Sequence, residues 1–325
     1  MRSLLAAAFI VGSAITGNAS AQAYPARPIT IVVPFPPGGV TDNVGRVMAE
    51  RMKDALGQSV VVENVSGAGG TIGSARVARA APDGYTLVVG QWTSHVGGGA
   101  LYTLNYDTVN DFAPVSLLTT APLWIVGPSK LPPKDLRELI EWLKANPNRA
   151  SGATTGVGSA AHVCLLDLQN RTGARIQMVP YRGAAPIMQD LLGGQIELSC
   201  LEASQTLPHF RSGKFRAFGV VTKDRWFLAP EVPTMEEGGV AGMQMPFWHG
   251  LWAPKGTAAD IIAKLNAAVM TSFADATLQK RFTEMGHDIP PRDQLTPAAL
   301  SAHHKAEVAK WWPIIKAANL KADGQ

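Results

Sequence analysis

Residues 28–73 alternate apolar runs with glycine loops: PITIVVPFPPGGVTDNVGRVMAERMKDALGQSVVVENVSGAGGTIG. Ile29–Val33 and residues 60–62 are short β-branched runs, the kind that fill a strand buried on both faces. Between them Val40, Val44, Val47, Met48 and Leu56 recur at helical spacing, and Gly57 is a stop signal. The stretch predicts a β-α-β unit with a glycine loop at the carboxyl end of each strand. In open α/β sheets, ligands gather at that end. The loops at Gly38-Gly39 and at 67–70 each open a helix, so unpaired N–H groups and positive dipole ends converge on one crevice. Such a crevice suits an anion.

The pattern continues. Pro82-Asp83-Gly84 is a turn before a third buried strand at 85–89, and 91–99 (QWTSHVGGG) reads as a polar, glycine-rich loop. Strand-like runs follow at 112–118 and 123–126, then a helix marked by Leu136, Leu139, Ile140 and Leu143 that ends before Pro147. Residues 151–162 (SGATTGVGSAAH) form a second glycine-rich stretch, with Ser159 as N-cap of a helix burying Ala161, Cys164, Leu165 and Leu168. A strand at 176–181 leads into the turn Tyr181-Arg182-Gly183, and a helix spans 184–192. In the strand at 195–201, Ile196, Leu198 and Cys200 alternate with Glu197 and Ser199, which predicts one buried face. Another strand follows at 217–221.

Residues 225–242 are rich in Pro and Gly and read as irregular; 247–253 is an aromatic strand. Thr257-x-x-Asp260 resembles a capping box, and Leu278, Phe282 and Met285 mark a helix stopped at Gly286. Thr296-Pro297 opens the last helix, where Pro313 predicts a kink and His303-His304 a solvated face. Two similar α/β lobes without a long linker imply lobes joined by strands.

Residues 1–23 carry one Arg, a short apolar core and Ala21-Gln22-Ala23, the layout of a secretory signal cleaved before Tyr24. The apolar run, 4–15, is too short to span a bilayer. The rest is long enough for two domains. The net charge of +4 becomes +3 without Arg2, and the basic residues are scattered, which argues against nucleic acid and suits a small anion. Cys164 and Cys200 of an exported chain form one disulfide or remain two buried thiols.

Catalytic motifs are weak. Residues 67–73 read G-x-G-G-x-x-G after the second strand, and Gly90-Gln91-Trp92 stand where a dinucleotide fold places its acidic residue, so no cofactor is expected. Ser159 lies in G-V-G-S-A, outside a nucleophile elbow, and nothing supplies His162 with an orienting carboxylate. An exported serine hydrolase using Ser159 and His162 is the alternative reading. No metal motif is present. Asp42 either caps its helix or accepts a hydrogen bond from a ligand. Trp92 and Trp124 are core-type residues, although Trp92 in the crevice would favour a flat aromatic acid.

Taken together, YPARPITIVVPFPPGGVTD, VVVENVSGAGGTIG, PDGYTL, DFAPVSLL, GVGSAAH, VPYRGAAPIMQDLLGGQIEL, VPTMEEGG and WHGLWAPKGT resemble the Bug-type substrate-binding proteins of tripartite tricarboxylate transporters. The resemblance implies a two-lobed α/β periplasmic binding protein fold of type II, hinged by strands that cross near 116–119 and return near 221–223. The lobes would be 24–118 with 222–325, and 119–221. It implies a monomeric, non-enzymatic periplasmic receptor that delivers a di- or tricarboxylate or an aromatic acid to the membrane components of a transporter. A ligand sensor for a membrane signalling protein would use the same fold. Carried over as ligand-lining are Phe35, Pro36, Gly38 and Gly39 with Asp42; Gly69 and Gly70; Trp92 and Thr93. On the other lobe these are Thr155, Gly156, Gly158 and Ser159 with His162, and Tyr181, Arg182 and Gly183. Backbone N–H groups, hydroxyls and ordered water would hold the carboxylate, with Arg182 as a direct cationic contact or an inter-lobe salt bridge. Where some relatives carry a Cys-Asp-Gln-Thr-like run, this chain has Cys200-Leu201-Glu202-Ala203-Ser204.

Overall fold

The structure, a computed structural model, describes residues 24–147 and 149–320; the signal-peptide expectation for 1–23 lies outside them. The opening unit folds as β1 (Ile29–Val33), α1 (Val40–Leu56) and β2 (Val60–Asn64), with β1 and β2 parallel. Gly57 ends α1 at φ +65°, a left-handed position that glycine takes without steric cost. Next come α2 (Thr71–Ala78), β3 (Thr86–Gln91), the single turn α3 (Gly98–Leu101) and β4 (Phe112–Ala121).

A second set follows: β5 (Leu123–Pro128), α4 (Leu136–Ala145), β6 (Ser151–Thr154), α5 (Ala160–Thr172), β7 (Gln177–Pro180), α6 (Ala184–Gly193), β8 (Leu198–Glu202), α7 (Ala203–Arg211) and β9 (Phe215–Val220). The chain closes with β10 (Phe247–Pro254), α8 (Ala259–Phe273), α9 (Ala276–Glu284) and α10 (Pro297–Ala317). The strands make two five-stranded sheets, ordered β2-β1-β3-β10-β4 and β7-β6-β8-β5-β9.

The sheets share one plan. Each has three parallel strands, then an antiparallel fourth: β10 in the first sheet, β5 in the second. Those two strands arrive from the other lobe. They therefore start at the edge where the parallel strands end, which is why they run backwards. β4 stays in the first sheet to Ala121, so the outward crossing falls at Pro122 rather than at 116–119. Pro122 has no N–H for a ladder, and its carbonyl accepts from Ala203 N instead.

One apolar cluster lies in the first lobe (Ile31, Val47, Leu87, Leu251, Val269, Phe282) and another in the second (Trp124, Val126, Ile187, Leu207, Trp226). A third runs through both, from Val88, Trp92 and Trp252 to Ile125, Leu165 and Phe218. Cys164 and Cys200 are bonded, fastening α5 to β8 across 36 residues of chain. Removing that bond from the unfolded ensemble costs roughly 3–4 kcal/mol on the loop-entropy model. The double alanine variant is therefore expected to melt roughly 10 °C lower by calorimetry, and an unchanged melting temperature would refute the bond's contribution.

Several local expectations are corrected. Residues 92–99 are helical: a π-turn, Thr93–Gly97, runs into α3. β8 is buried on both faces because it is a central strand with α5, α6 and α7 packed against it, and Ser199 donates its hydroxyl to Ala153 O. No capping box forms at α8, since the Thr257 hydroxyl turns back to Pro254 O and Asp260 accepts from its neighbour Ile261 N. His304 is buried, its Nε2 2.8 Å from His95 O, because α10 packs on the π-turn.

Candidate functional site

On the first lobe, β1 ends in Phe35-Pro36-Pro37-Gly38-Gly39, and Gly38 turns at φ +79°. The Asp42 carboxylate is buried one turn into α1. It accepts from Gly38 N at 2.8 Å, Arg46 Nε at 2.9 Å and Asn64 Nδ2 at 2.8 Å. Burial alone would raise its pKa, but Arg46, the Gly38 N–H and Asn64 together hold it below the ordinary carboxylate value. Asp42 thus fixes the turn, while the first-turn N–H groups of α1 have no acceptor within the helix. Beside it, residues 67–70 wind tightly, with Gly69 at φ +63° and Gly70 at φ +92°. A Cβ on Gly70 would sit 2.9 Å from Phe35 Cζ and 3.0 Å from Ser94 Cβ. Gly69 faces Tyr102 and Thr93. Phe35, Gly69, Gly70 and Thr93 therefore form one wall.

On the second lobe, Gly156 and Gly158 both have positive φ, and Ser159 caps α5 by accepting from His162 N at 3.3 Å. His162 Nδ1 accepts from Gly158 N at 3.1 Å, and burial lowers its pKa, so the ring stays neutral. Both side chains are thus committed to backbone groups, and among the described residues no hydrogen bond joins the Ser159 hydroxyl to the His162 ring. Tyr181 donates to Asp190, Gly183 precedes α6, and exposed Arg182 enters no ion pair found among the described residues.

The two walls meet. Ala160 N, at the start of α5, lies 3.4 Å from Thr93 Oγ1. A Cβ on Gly158 would fall 2.0 Å from Leu101 Cδ1 of the opposite lobe. The lobes are closed on one another around loops that open helices.

The family profile described as "Tripartite tricarboxylate transporter family receptor" matches residues 44–320. The chain belongs to this receptor family. Protein BugT of Bordetella pertussis is 40% identical over 280 residues, covering 86% of each chain. MatC from Rhodopseudomonas palustris, solved with bound malate, superposes with a TM-score of 0.83 at 37% identity, covering 90% of this chain and 100% of that one. Another R. palustris protein, solved with adipate, gives a TM-score of 0.84 at 31% identity, covering 92% and 99%.

In this Bug-type receptor the glycine loops expected from the sequence face one another, and Trp92 lies next to them, its Cζ3 3.0 Å from where a Cβ on Gly97 would sit. Its indole is 0% exposed and packs edge-to-face on Trp311, with ring centroids 5.8 Å apart. Trp124 is also buried and donates to Thr206 Oγ1. Sequence reasoning placed the Trp92–His95 region, and so Ser94, at the site but missed Leu101 and Tyr102, which α3 carries to the wall. Glycines 97–99 were the only local signal. Gly97 is needed because a Cβ there would lie 3.0 Å from Gly158 O.

Proposed function

We propose that this receptor works in the periplasm, closing over a small aliphatic dicarboxylate and passing it to the membrane components of its transporter. The observation that carries the reading is the pair of opposed glycine loops, each opening a helix toward the other lobe. Unpaired N–H groups at such helix starts bind carboxylates without an obligatory Arg. The relatives solved with malate and adipate support this ligand class. Trp92 packs its indole against Trp311, which favours an aliphatic over an aromatic acid. The ligand contacts are assigned to Phe35, Pro36, Gly38, Gly39, Gly69, Gly70 and Thr93 on one lobe. On the other they fall to Thr155, Gly156, Gly158, Tyr181, Arg182 and Gly183, with Asp42, Ser159 and His162 shaping the loops. The moving lobes are 24–121 with 247–325, and 122–246, since the segment before β10 pairs with the second sheet through Met235 N to Val220 O and Met245 N to Val221 O; the mature chain begins at Tyr24. Use of Ser159 as a helix cap favours a receptor over a hydrolase.

A thermal-shift series with malate, succinate, adipate, citrate, benzoate and nicotinate tests the reading. A ligand at a hundred times its Kd adds about 2.7 kcal/mol, a shift of several degrees. Malate or adipate is expected to give it. Shifts from the aromatic acids alone would overturn the ligand class, and no shift from any of the six would overturn the carboxylate reading.

A further inference from the structure

Where the strands cross, a line of buried polar groups runs from one lobe to the other. Glu202, the last residue of β8, is 4% exposed, and His287, which follows α9, is 2% exposed. Glu202 Oε1 and His287 Nε2 are 3.3 Å apart, in contact but not aligned for a hydrogen bond, so neither ring nitrogen of His287 has a hydrogen-bond partner among the described residues. The His287 ring lies 5.6 Å from that of His249 in β10, which is fully buried. His249 Nε2 is 3.2 Å from Thr41 Oγ1, and its Nδ1 is 3.3 Å from Thr119 Oγ1. Thr41 belongs to the first turn of α1, the turn assigned above to the ligand. A carboxyl and two imidazoles so enclosed are costly unless neutral or paired.

For Glu202 the compensation comes from two side chains at the start of α7, Ser204 and Gln205, and burial outweighs both. Ser204, opening α7, donates to Glu202 Oε1 at 3.3 Å. Trp226 packs over Gly286 and Phe282 lies edge-on to His287. The titratable groups beside the pair are His249 from β10 and Asp288 from the segment of His287 itself, whose pKa burial raises. Asp288 exchanges both backbone hydrogen bonds with Thr120, tying this segment to the crossing strand.

We propose that Glu202 and His287 form a proton-operated latch between the lobes, engaged when the pair holds a single proton and released when Glu202 loses it. The latch regulates the site described under the proposed function and rests on that reading, but it closes the lobes with or without ligand. Burial pushes the Glu202 carboxyl up to about 8 and the His287 ring down to about 4. For Glu202 the raised value means its contribution is complete below the ordinary 4.5 and is lost as pH rises to about 8. For His287 the lowered value means its contribution is complete above 6.5 and is lost as pH falls to about 4. The slopes cancel between 4.5 and 6.5. Above 6.5 only Glu202 remains, so opening that hydrates both groups weakens the closed form by at most about tenfold per pH unit, or about 30-fold by pH 8. The released proton passes to solvent.

Carbon-13 NMR of the ligand-free mature protein, labelled at glutamate Cδ, reads the latch directly. One carboxyl is expected to titrate in the mildly basic range, and Glu202→Gln should remove that resonance. Small-angle scattering should show the wild-type radius of gyration growing between pH 6.5 and 9, and that of Glu202→Gln constant. A Glu202 midpoint in the ordinary carboxylate range, or a wild-type radius that ignores pH, would overturn the proposal. Neither readout involves malate, so a failed ligand screen leaves this test standing.

Discussion

Replacing Gly158 with valine is expected to abolish carboxylate binding while both lobes remain folded. Gly158 sits at φ +68°, where a β-branched residue is strained locally by about 1–2 kcal/mol. The larger effect is between lobes: a Cβ there would lie 2.0 Å from Leu101 Cδ1 and 2.6 Å from Cδ2. The new side chain and Leu101 cannot share that space as it stands, so closure requires Leu101, buried in the core, to move aside. Gly156 is the control, because it too has positive φ, +123°, yet a Cβ there meets nothing within 4 Å. Titration calorimetry with malate should show Gly156→Ala binding within about tenfold of wild type, the limit set by strain alone. Gly158→Ala should weaken binding by well over that factor, and Leu101→Ala added to it should restore part of the loss. Gly38→Ala, at φ +79° with open space around it, belongs with Gly156. Equal affinities for wild type and Gly158→Val would remove the Leu101–Gly158 contact from the closing motion.

Acidification from pH 7 to 4 is expected to unfold the receptor. Burial holds His95 and His249 far below their ordinary value, with further depression from His304 and His287 respectively. Burial also brings His287 and His304 to about 4. The unfolded chain binds these protons near 6.5 and the folded chain does not, so stability is complete above 6.5 and is lost as pH falls through that window. A shift from 6.5 to about 4 is worth roughly 3 kcal/mol per ring. The raised carboxyl of Glu202 acts in the opposite sense and offsets about one ring's share. The remaining histidines still amount to a large part of the 5–15 kcal/mol that holds a typical domain together. Melting temperature measured against pH should fall steeply below 6.5. His304→Gln, which keeps a donor for His95 O, should flatten the slope. A melting temperature that stays level from pH 7 to 4.5 would show that these rings are hydrated in the native state.

Much of this was legible locally. The β-branched runs of β1 and β2, the 3.6-residue spacing of α1 and the stop at Gly57 each report their own conformation, because strand burial, helix faces and positive φ leave short-range marks. The glycine loops at 38–39, 67–70 and 156–158 were readable for the same reason, and so was the Ser159 cap. The resemblance between the two halves predicted two lobes.

The π-turn at Thr93–Gly97 left no such mark. Its His95 and Val96 carbonyls are met by His304 and by Trp312 Nε1 of α10, more than 200 residues away. The same contact buries His304, which the polar look of its helix had assigned to solvent. Glu202 and His287 meet only because the strands cross, and Leu101 reaches Gly158 only because the lobes close. Periodicity says which face of an element is apolar and where a helix starts or stops. It carries no term for which distant element covers that face or satisfies a stray carbonyl. Fold class, glycine loops and family thus follow from the order of residues along the chain. The closed contact at Gly158, the enclosure of Trp92 and the histidine-lined hinge follow from the packing of the sheets, where pairings far apart in sequence compete on geometry and desolvation.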